Sequence, residues 1–311
     1  MISRRIGAIA LVLIGAIGLG GCGNYSNEDL DFQLALPNQS DITVKMQLSV
    51  SRADSAEYYL ATRNAITTFN TMVVDLVALI DQVRGNSPTS RQGDRRIWGP
   101  FPSDKYPTWE IRVVMDRSTV SSSLLHMDYW VQLRRIGQDD SAWVSFLVGT
   151  YTSQGSARTG QGDIRLLAND VRVAGYPVDD DPGLANLDNL HVTYNNAAYP
   201  MTVTMDIVNL NLTTATTKSG SYTYAQNQDG SGRMTFDWQA LTGAGAQITA
   251  NMTSQWLGSG AGRADLTAAL APNLTNQSTL FGTDCWGVDT VASYTYRQDG
   301  TTTGFPDSCL F

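Results

Sequence analysis

The feature that most constrains this chain is a change of hydrophobic period after residue 108. From Trp109 to Arg297, apolar and polar residues alternate in successive short segments, which are separated by turn sequences rich in Gly and Asp. A period of two puts one face of a β-strand against a core and the other in water, and such turns favour hairpins. The pattern predicts a meander of roughly ten antiparallel strands, a sheet so large that it must curl or split.

The predicted strands of this series cover 109–115, 124–136, 142–151, 164–173, 187–194, 201–214, 221–228, 233–240, 246–256, 263–270 and 288–297. A first strand is predicted earlier, at Asp41–Val50, where apolar residues also alternate. Between these regions, Asn86–Lys105 is polar and contains three prolines, which predicts a loop.

A helical pattern lies between the first strand and this loop. From Asp54 to Arg84, apolar residues recur every three or four positions, Glu57 completes a capping box with Asp54, and Gly85 is placed to end the helix. Such a helix packs on its own domain's sheet or pairs with a partner helix. The predicted fold class is α+β, mostly antiparallel β: a large curved, half-barrel-like meander sheet with one long N-terminal amphipathic helix, in a single domain over residues 28–311.

The N-terminal segment predicts export. Arg4 and Arg5 precede an apolar run, Ile6–Leu19, that is too short to span a bilayer and ends in small residues suited to cleavage. This order is typical of a signal peptide, here residues 1–21, rather than of a transmembrane helix.

The sequence Leu19-Gly20-Gly21-Cys22 resembles the lipobox of bacterial lipoproteins. The resemblance implies cleavage before Cys22, a diacylglycerol on its sulfur and an acyl chain such as palmitate on its amine, with residues 22–27 as a tether. Gly23 stands where that family's inner-membrane retention signal has Asp, which favours the outer membrane, on either its periplasmic or its surface face. The alternative is an ordinary secretory signal with a chance cysteine.

Charge narrows the range of partners. Without Arg4 and Arg5, 19 of the 21 basic residues remain against 29 acidic ones, a net charge of −10. No basic block occurs anywhere in the chain, which argues against nucleic acid and against electrostatic docking on anionic lipid.

Two cysteines remain after the lipobox, Cys285 and Cys309. In an exported chain such a pair most often forms a disulfide, whereas a redox or metal-binding pair would be expected to have CxxC spacing or a nearby histidine.

Few residues carry a pattern typical of chemistry. His126 lies two residues from Asp128 on one strand face, and with His191 it is either part of a mixed metal site or an ordinary strand histidine. Four acids, Asp179, Asp180, Asp181 and Asp188, either bind Ca²⁺ or lie in a solvated loop.

The aromatic residues of the early strands offer a further candidate. Tyr129 and Trp143, with Phe69 and Val73 of the predicted helix, would line either a ligand groove or the core between helix and sheet. No cofactor is predicted beyond the covalent lipid on Cys22.

Two resemblances concern the remainder of the chain. Cys285-Trp286, a Tyr-rich strand and Cys309-Leu310-Phe311 resemble the tail of lipoproteins of myxobacteria and their relatives, a family of unknown activity. The order of one long helix and many antiparallel strands is similar to the periplasmic half-barrel carriers of lipoproteins, which hold acyl chains between barrel and helix.

Three functions remain open. The first is a non-enzymatic envelope lipoprotein that is bound to the membrane by its lipid. It would bind either a hydrophobic ligand, such as a lipid, or an envelope protein. The second is a structural or adhesive surface β-protein without a pocket. The third is an Asp-dependent hydrolase, which would need two close carboxylates in a cleft.

Overall fold

The computed structural model describes residues 26–46, 54–81, 83–121, 124–180, 184–211, 216–241, 247–270, 279–309 and 311. Over these residues the protein is mostly antiparallel β-sheet with few helices. The predicted signal peptide, residues 1–21, and the predicted lipidation site, Cys22, lie outside the described residues.

The described elements are four α-helices, three 3₁₀ turns and fifteen strands. The helices are α1 (Asn27–Ala35), α2 (Gln39–Ile42), α3 (Glu57–Asp81) and α4 (Ala168–Val173). The first strands are β1 (Ser90–Gln92), β2 (Arg95–Pro102), β3 (Trp109–Ser121), β4 (Leu124–Arg135), β5 (Val144–Gln154), β6 (Ser156–Leu167) and β7 (Leu187–Asn195). The later strands are β8 (Met201–Asn211), β9 (Thr216–Gln226), β10 (Gly232–Leu241), β11 (Gln247–Trp256), β12 (Gly262–Leu270), β13 (Thr279–Trp286), β14 (Ala292–Arg297) and β15 (Thr302–Gly304). The 3₁₀ turns are Asp140–Ala142, Val178–Asp180 and Pro306–Ser308.

The chain divides into two compact units. Unit 1 falls within Met1–Ile42 and Thr71–Ala197, and unit 2 within Thr43–Asn70 and Ala198–Phe311. Strands β1 to β7 therefore belong to unit 1 and β8 to β15 to unit 2. The single domain expected over residues 28–311 stays a prediction.

In unit 1, β1 to β7 pair antiparallel in chain order. The register places one row of residues side by side across five strands: Met115, Tyr129, Gly149, Ile164 and Val192. All five are buried, because residues directly opposite each other point to the same side of a sheet. We call this side of the sheet the inner face of unit 1.

In unit 2, β8 to β15 also pair antiparallel in chain order. The part of α3 within this unit packs on the sheet through aromatic pairs. The Tyr59 ring meets Trp286 edge-on at 5.6 Å between centroids, and Phe69 lies 5.7 Å from Tyr222. Thr62, the polar residue within the apolar stripe, hydrogen-bonds through its hydroxyl to that of Ser254 at 2.7 Å, so its burial leaves no polar group unpaired.

The long N-terminal helix of the predicted fold class is not supported. The helices nearest the N-terminus, α1 and α2, have 9 and 4 residues. The apolar stripe identified between Asp54 and Arg84 lies after these two helices, in the 25-residue helix α3.

The first predicted strand, Asp41–Val50, is wrong where the structure describes it. Asp41 and Ile42 end helix α2, and Thr43–Met46 are not in a strand. The backbone of Val44 pairs with the amide side chain of Asn70, at 2.8 and 3.0 Å, instead of with a neighbouring strand. Residues 47–50 lie outside the described ranges.

Other strand predictions need correction as well. The segment 164–173 leaves the sheet after Leu167, and α4 follows it directly. Strands β1 and β2 lie inside the segment predicted as a loop, and β13 and β15 were not predicted.

A buried tyrosine pair as the candidate functional site

Two tyrosines on the inner face of unit 1 lie across glycines of neighbouring strands. Tyr129 of β4 is paired directly with Gly149 of β5, and Tyr194 of β7 with Gly162 of β6. A Cβ atom on either glycine would overlap the ring and hydroxyl of the tyrosine opposite. Each ring therefore occupies the space that a side chain on the next strand would need, which only glycine leaves free.

Both tyrosine hydroxyls are buried without a partner. The exposed fractions of Tyr129 and Tyr194 are 0% and 4%, and neither hydroxyl makes a hydrogen bond to any part of the chain that the structure describes. Tyr151, on the same face, differs, since its hydroxyl donates to the carbonyl of Ala157 at 3.2 Å. An unpaired buried hydroxyl destabilises the folded state by about 1–3 kcal/mol. Two such hydroxyls on one face are therefore unusual in a protein core.

The register places the two hydroxyls over neighbouring glycines. Gly149 is opposite Ile164 and Gly162 is opposite Tyr151 on the adjacent strands β5 and β6, so the two glycines are diagonal neighbours on the inner face. Diagonal neighbours in an antiparallel pair are about 7–8 Å apart. Because each hydroxyl lies over one of these glycines, the two hydroxyls occupy neighbouring positions on the inner face.

The inner face around the pair is apolar, and charged groups lie near both tyrosines. Met115, Met127 and Ile164 on the same face are all 0% exposed. Burial raises the pKa of Tyr129, and nearby Asp163 raises it further. Burial also raises the pKa of Tyr194, with Tyr129, Tyr151 and Asp41 adding to the increase and the Arg84 guanidinium opposing it. Both hydroxyls are therefore protonated hydrogen-bond donors at neutral pH.

Arg84 is held beside this region by the segment after α1. Its guanidinium donates to the side chain of Asn38 and to the carbonyls of Leu36 and Pro37, the last two at 2.9 and 2.6 Å. Its Nε is buried without a partner among the described residues. Burial lowers the pKa of Arg84, and Asp81, 3.1 Å away, partly offsets this effect.

The structure brings only one of the four predicted groove residues to this pair. Tyr129 belongs to it, and Val73 is buried in the part of α3 within unit 1. Phe69 belongs to unit 2, where it packs on Tyr222. Trp143 instead contacts the guanidinium groups of Arg112 and Arg134, which lie 4.2 and 4.3 Å from its ring centroid.

The predicted calcium ligands are not gathered. Asp179 is ion-paired with Arg172 at 2.9 Å, Asp180 is exposed, Asp188 accepts from Asn189 at 3.3 Å, and Asp181 lies outside the described residues. Within the described ranges, no group of three or more His, Cys, Asp and Glu side chains is arranged to hold a metal ion.

The two histidines take part in separate pairs. Nε2 of His126 lies 3.3 Å from Asp128, as its strand spacing predicts, and Nε2 of His191 lies 2.5 Å from Asp163. Both are half-buried on their strands. The predicted disulfide is confirmed: Cys285 on β13 is bonded to Cys309, with 5.4 Å between their Cα atoms.

A surface depression of about 430 Å³ lies near the end of β1 and between β2 and β3 in unit 1. Gln92, Asp94, Arg95, Asp116 and Arg117 line it. Its two arginines are already paired, Arg95 with Asp116 at 2.6 Å and Arg117 with Asp94 at 2.9 Å. The depression therefore offers no unpaired cation for an anionic ligand.

Tyr194 and the two glycines were missed in the sequence. A glycine inside an alternating strand pattern indicates a close approach by another group, and Gly149 and Gly162 carry that signal. The signal does not say which residue approaches, because that depends on the register between strands.

No helix of the described chain combines the length and apolar character that crossing a membrane requires. No protein-family model matches this chain, and no curated protein or solved structure is significantly similar to it.

Proposed function

We propose that this protein is a non-enzymatic cell-envelope lipoprotein that binds an acyl ligand inside unit 1. The polar end of the ligand accepts hydrogen bonds from Tyr129 and Tyr194, and its chain lies against the apolar inner face. The observation that carries the proposal is that two buried hydroxyls, without a partner among the described residues, lie over the neighbouring glycines Gly149 and Gly162.

The chemistry of the site selects the kind of ligand. Two phenol O–H groups call for an acceptor, and a carboxylate or ester oxygen has enough lone pairs to accept from both. Such a contact would remove the cost of leaving both hydroxyls unpaired. The neighbouring Met115, Met127 and Ile164 offer only apolar contact, which suits a hydrocarbon chain.

The proposed location follows from the N-terminal sequence. Cleavage before Cys22 and three acyl chains on that residue would attach the protein stably to a membrane, and Gly23 favours the outer membrane. We also propose that the sheet is curved and half-barrel-like, and that residues 28–311 form a single domain.

A surface partner is the second candidate function, and one observation favours it. On unit 2, Phe281 is stacked on Tyr296 at 5.9 Å between ring centroids, and Phe281 is 43% exposed. Phe305, directly after the edge strand β15, is 80% exposed. Such exposed aromatic residues would suit an adhesive or partner-binding protein.

Native mass spectrometry of the protein purified from membranes in mild detergent tests the ligand proposal. The wild type is expected to carry a non-covalent lipid, and the double variant Tyr129→Phe/Tyr194→Phe to lose it while it still unfolds cooperatively. Tyr151→Phe is the matched control, since that hydroxyl already has a protein partner. A wild type that is uniformly empty, or a double variant with an unchanged lipid load, would contradict the proposal.

A further inference from the structure

Helix α1 is held on unit 1 by one buried carboxylate. Asp29, 0% exposed, accepts hydrogen bonds from Arg91 at 2.9 Å and from Arg96 at 2.8 Å. It also forms a capping box with Ser26 at the start of the helix. Burial alone would raise the pKa of Asp29, but the hydrogen bonds from Arg91, Arg96 and Ser26 hold it well below its usual value.

An aromatic contact fixes the rotation of the helix. Phe32, also 0% exposed, lies under the guanidinium groups of Arg96 and Arg117, at 4.8 and 5.3 Å from its ring centroid. Asp29 and Phe32 are one turn apart and therefore share the side of α1 that faces the sheet. The same contacts therefore determine which residues of α1 face away from the sheet.

That opposite side presents two leucines to solvent. Leu30 and Leu34 are four residues apart, hence neighbours on the helix surface, and their exposed fractions are 43% and 37%. The acids near them are paired: Glu28 with Arg96 at 2.9 Å, and Asp31 with Arg117 at 3.6 Å. No described acid on this helix is therefore left uncompensated to oppose approach to a lipid surface.

The distance from the predicted anchor to this helix is short. Four residues separate Cys22 from the first helical residue, Asn27, so the five steps between their Cα atoms span at most about 18 Å in any conformation. The acyl chains of a lipidated Cys22 would be buried in the bilayer. The start of α1 would then be within that distance of the membrane surface.

We propose that α1 lies on the membrane and places Leu30 and Leu34 among the lipid headgroups and upper acyl chains. This inference rests on the proposed lipidation of Cys22. The membrane would then be a second, apolar contact for unit 1 beside the covalent anchor, and would set which side of unit 1 is turned towards the bilayer.

An environment-sensitive fluorophore tests the inference in the mature lipoprotein. Lipidation blocks Cys22, and Cys285 and Cys309 are bonded to each other, so Leu30→Cys or Leu34→Cys would add the only free thiol. Each variant is labelled with NBD and reconstituted in vesicles of phosphatidylethanolamine and phosphatidylglycerol. Val173→Cys, on α4 of the same unit and 81% exposed, is the control position.

The expected result is a blue shift and a several-fold gain in NBD emission at positions 30 and 34 when vesicles are present, with no change at position 173. A lipidated protein that floats with the vesicles while both probes still report water would overturn the inference and leave the anchor intact. A blue shift already present without vesicles would also overturn it, since another protein surface would then cover the leucines. A protein of unmodified mass that does not float would instead refute the proposed lipidation.

Discussion

The Asp284 carboxylate lies 2.6 Å from Nη1 of Arg297 although Asp284 is completely buried. Its other oxygen accepts the backbone N–H of Tyr58, in the first turn of α3, at 2.8 Å. Free N–H groups and the helix dipole make the start of a helix favourable for an anion. Strand β13 therefore supplies the carboxylate that caps the start of α3 in unit 2, and Arg297 balances its charge.

Replacement of Asp284 by Ala is expected to destabilise the protein by about 3 kcal/mol, because it leaves the N–H of Tyr58 and the Arg297 charge without their partner. Denaturant unfolding measures the change. Asp237→Ala, at an exposed strand position, is the control and is expected to stay within about 0.5 kcal/mol of the wild type. Equal losses in the two variants would refute the capping role of Asp284.

Replacing a strand glycine by alanine ordinarily raises stability, but at the two glycines under the tyrosine rings it is expected to lower stability for a steric reason. Ala at Gly149 or Gly162 would collide with Tyr129 or Tyr194 and is expected to cost about 2 kcal/mol or more. Gly220→Ala is the matched control, since its Cβ would meet only the carbonyl oxygen of Asp237 at 3.6 Å, and a strand glycine replaced by Ala gains about 0.5 kcal/mol. If thermal unfolding shows all three variants alike, the tyrosine rings do not lie over the glycines.

Alkaline pH should weaken unit 1 through the same tyrosines. Burial raises the folded-state pKa of Tyr129 and Tyr194, whereas an unfolded-state tyrosine has a pKa of about 10. Above that pH the unfolded chain releases protons that the folded chain retains, so stability is fully present below about pH 10 and falls as pH rises further. Urea unfolding between pH 9 and 11 should show a smaller loss for Tyr129→Phe and Tyr194→Phe than for the wild type. Tyr199→Phe, at an exposed position, should follow the wild type, and identical slopes for all four proteins would contradict the burial of these hydroxyls.

Acid should release helix α1 through Asp29. The folded-state pKa of this carboxyl is lowered from an unfolded value of about 3.9, so its stabilising effect is present above about pH 4 and is lost as pH falls towards the folded-state pKa. Asp29→Asn should cost about 2–4 kcal/mol at pH 7, and the difference from the wild type should shrink below about pH 4. A difference that stays constant from pH 7 to pH 2 would show that the charge of Asp29 does not matter.

The sequence predicted strands well where alternate residues meet a core, as in β3, β4 and β7 to β12. It failed where a strand lacks that alternation. Strand β2 contains Pro100 and Pro102, and β13 places the charged Asp284 on its buried side. Both strands are decided by partners distant in sequence, which local patterns do not contain.

The candidate site was predictable only in part. Tyr129 was identified as an aromatic strand residue, but the second hydroxyl belongs to Tyr194, which lies 65 positions later in the sequence. Their neighbouring positions depend on the register of β4 to β7, which places Gly149 opposite Tyr129 and Gly162 opposite Tyr194. Single-residue patterns cannot specify a register across four strands.

Fluorine NMR of the tyrosine pair tests whether Tyr129 and Tyr194 bind an acyl ligand. 3-Fluorotyrosine is introduced at position 129 or 194, and at position 151 as the control, and palmitic acid is added to the protein. If both hydroxyls bind the ligand, the resonances at 129 and 194 are expected to shift with the same concentration dependence, while that at 151 changes less. If palmitic acid binds and neither resonance moves, or if no binding occurs at all, the buried tyrosine pair is not an acyl-ligand site.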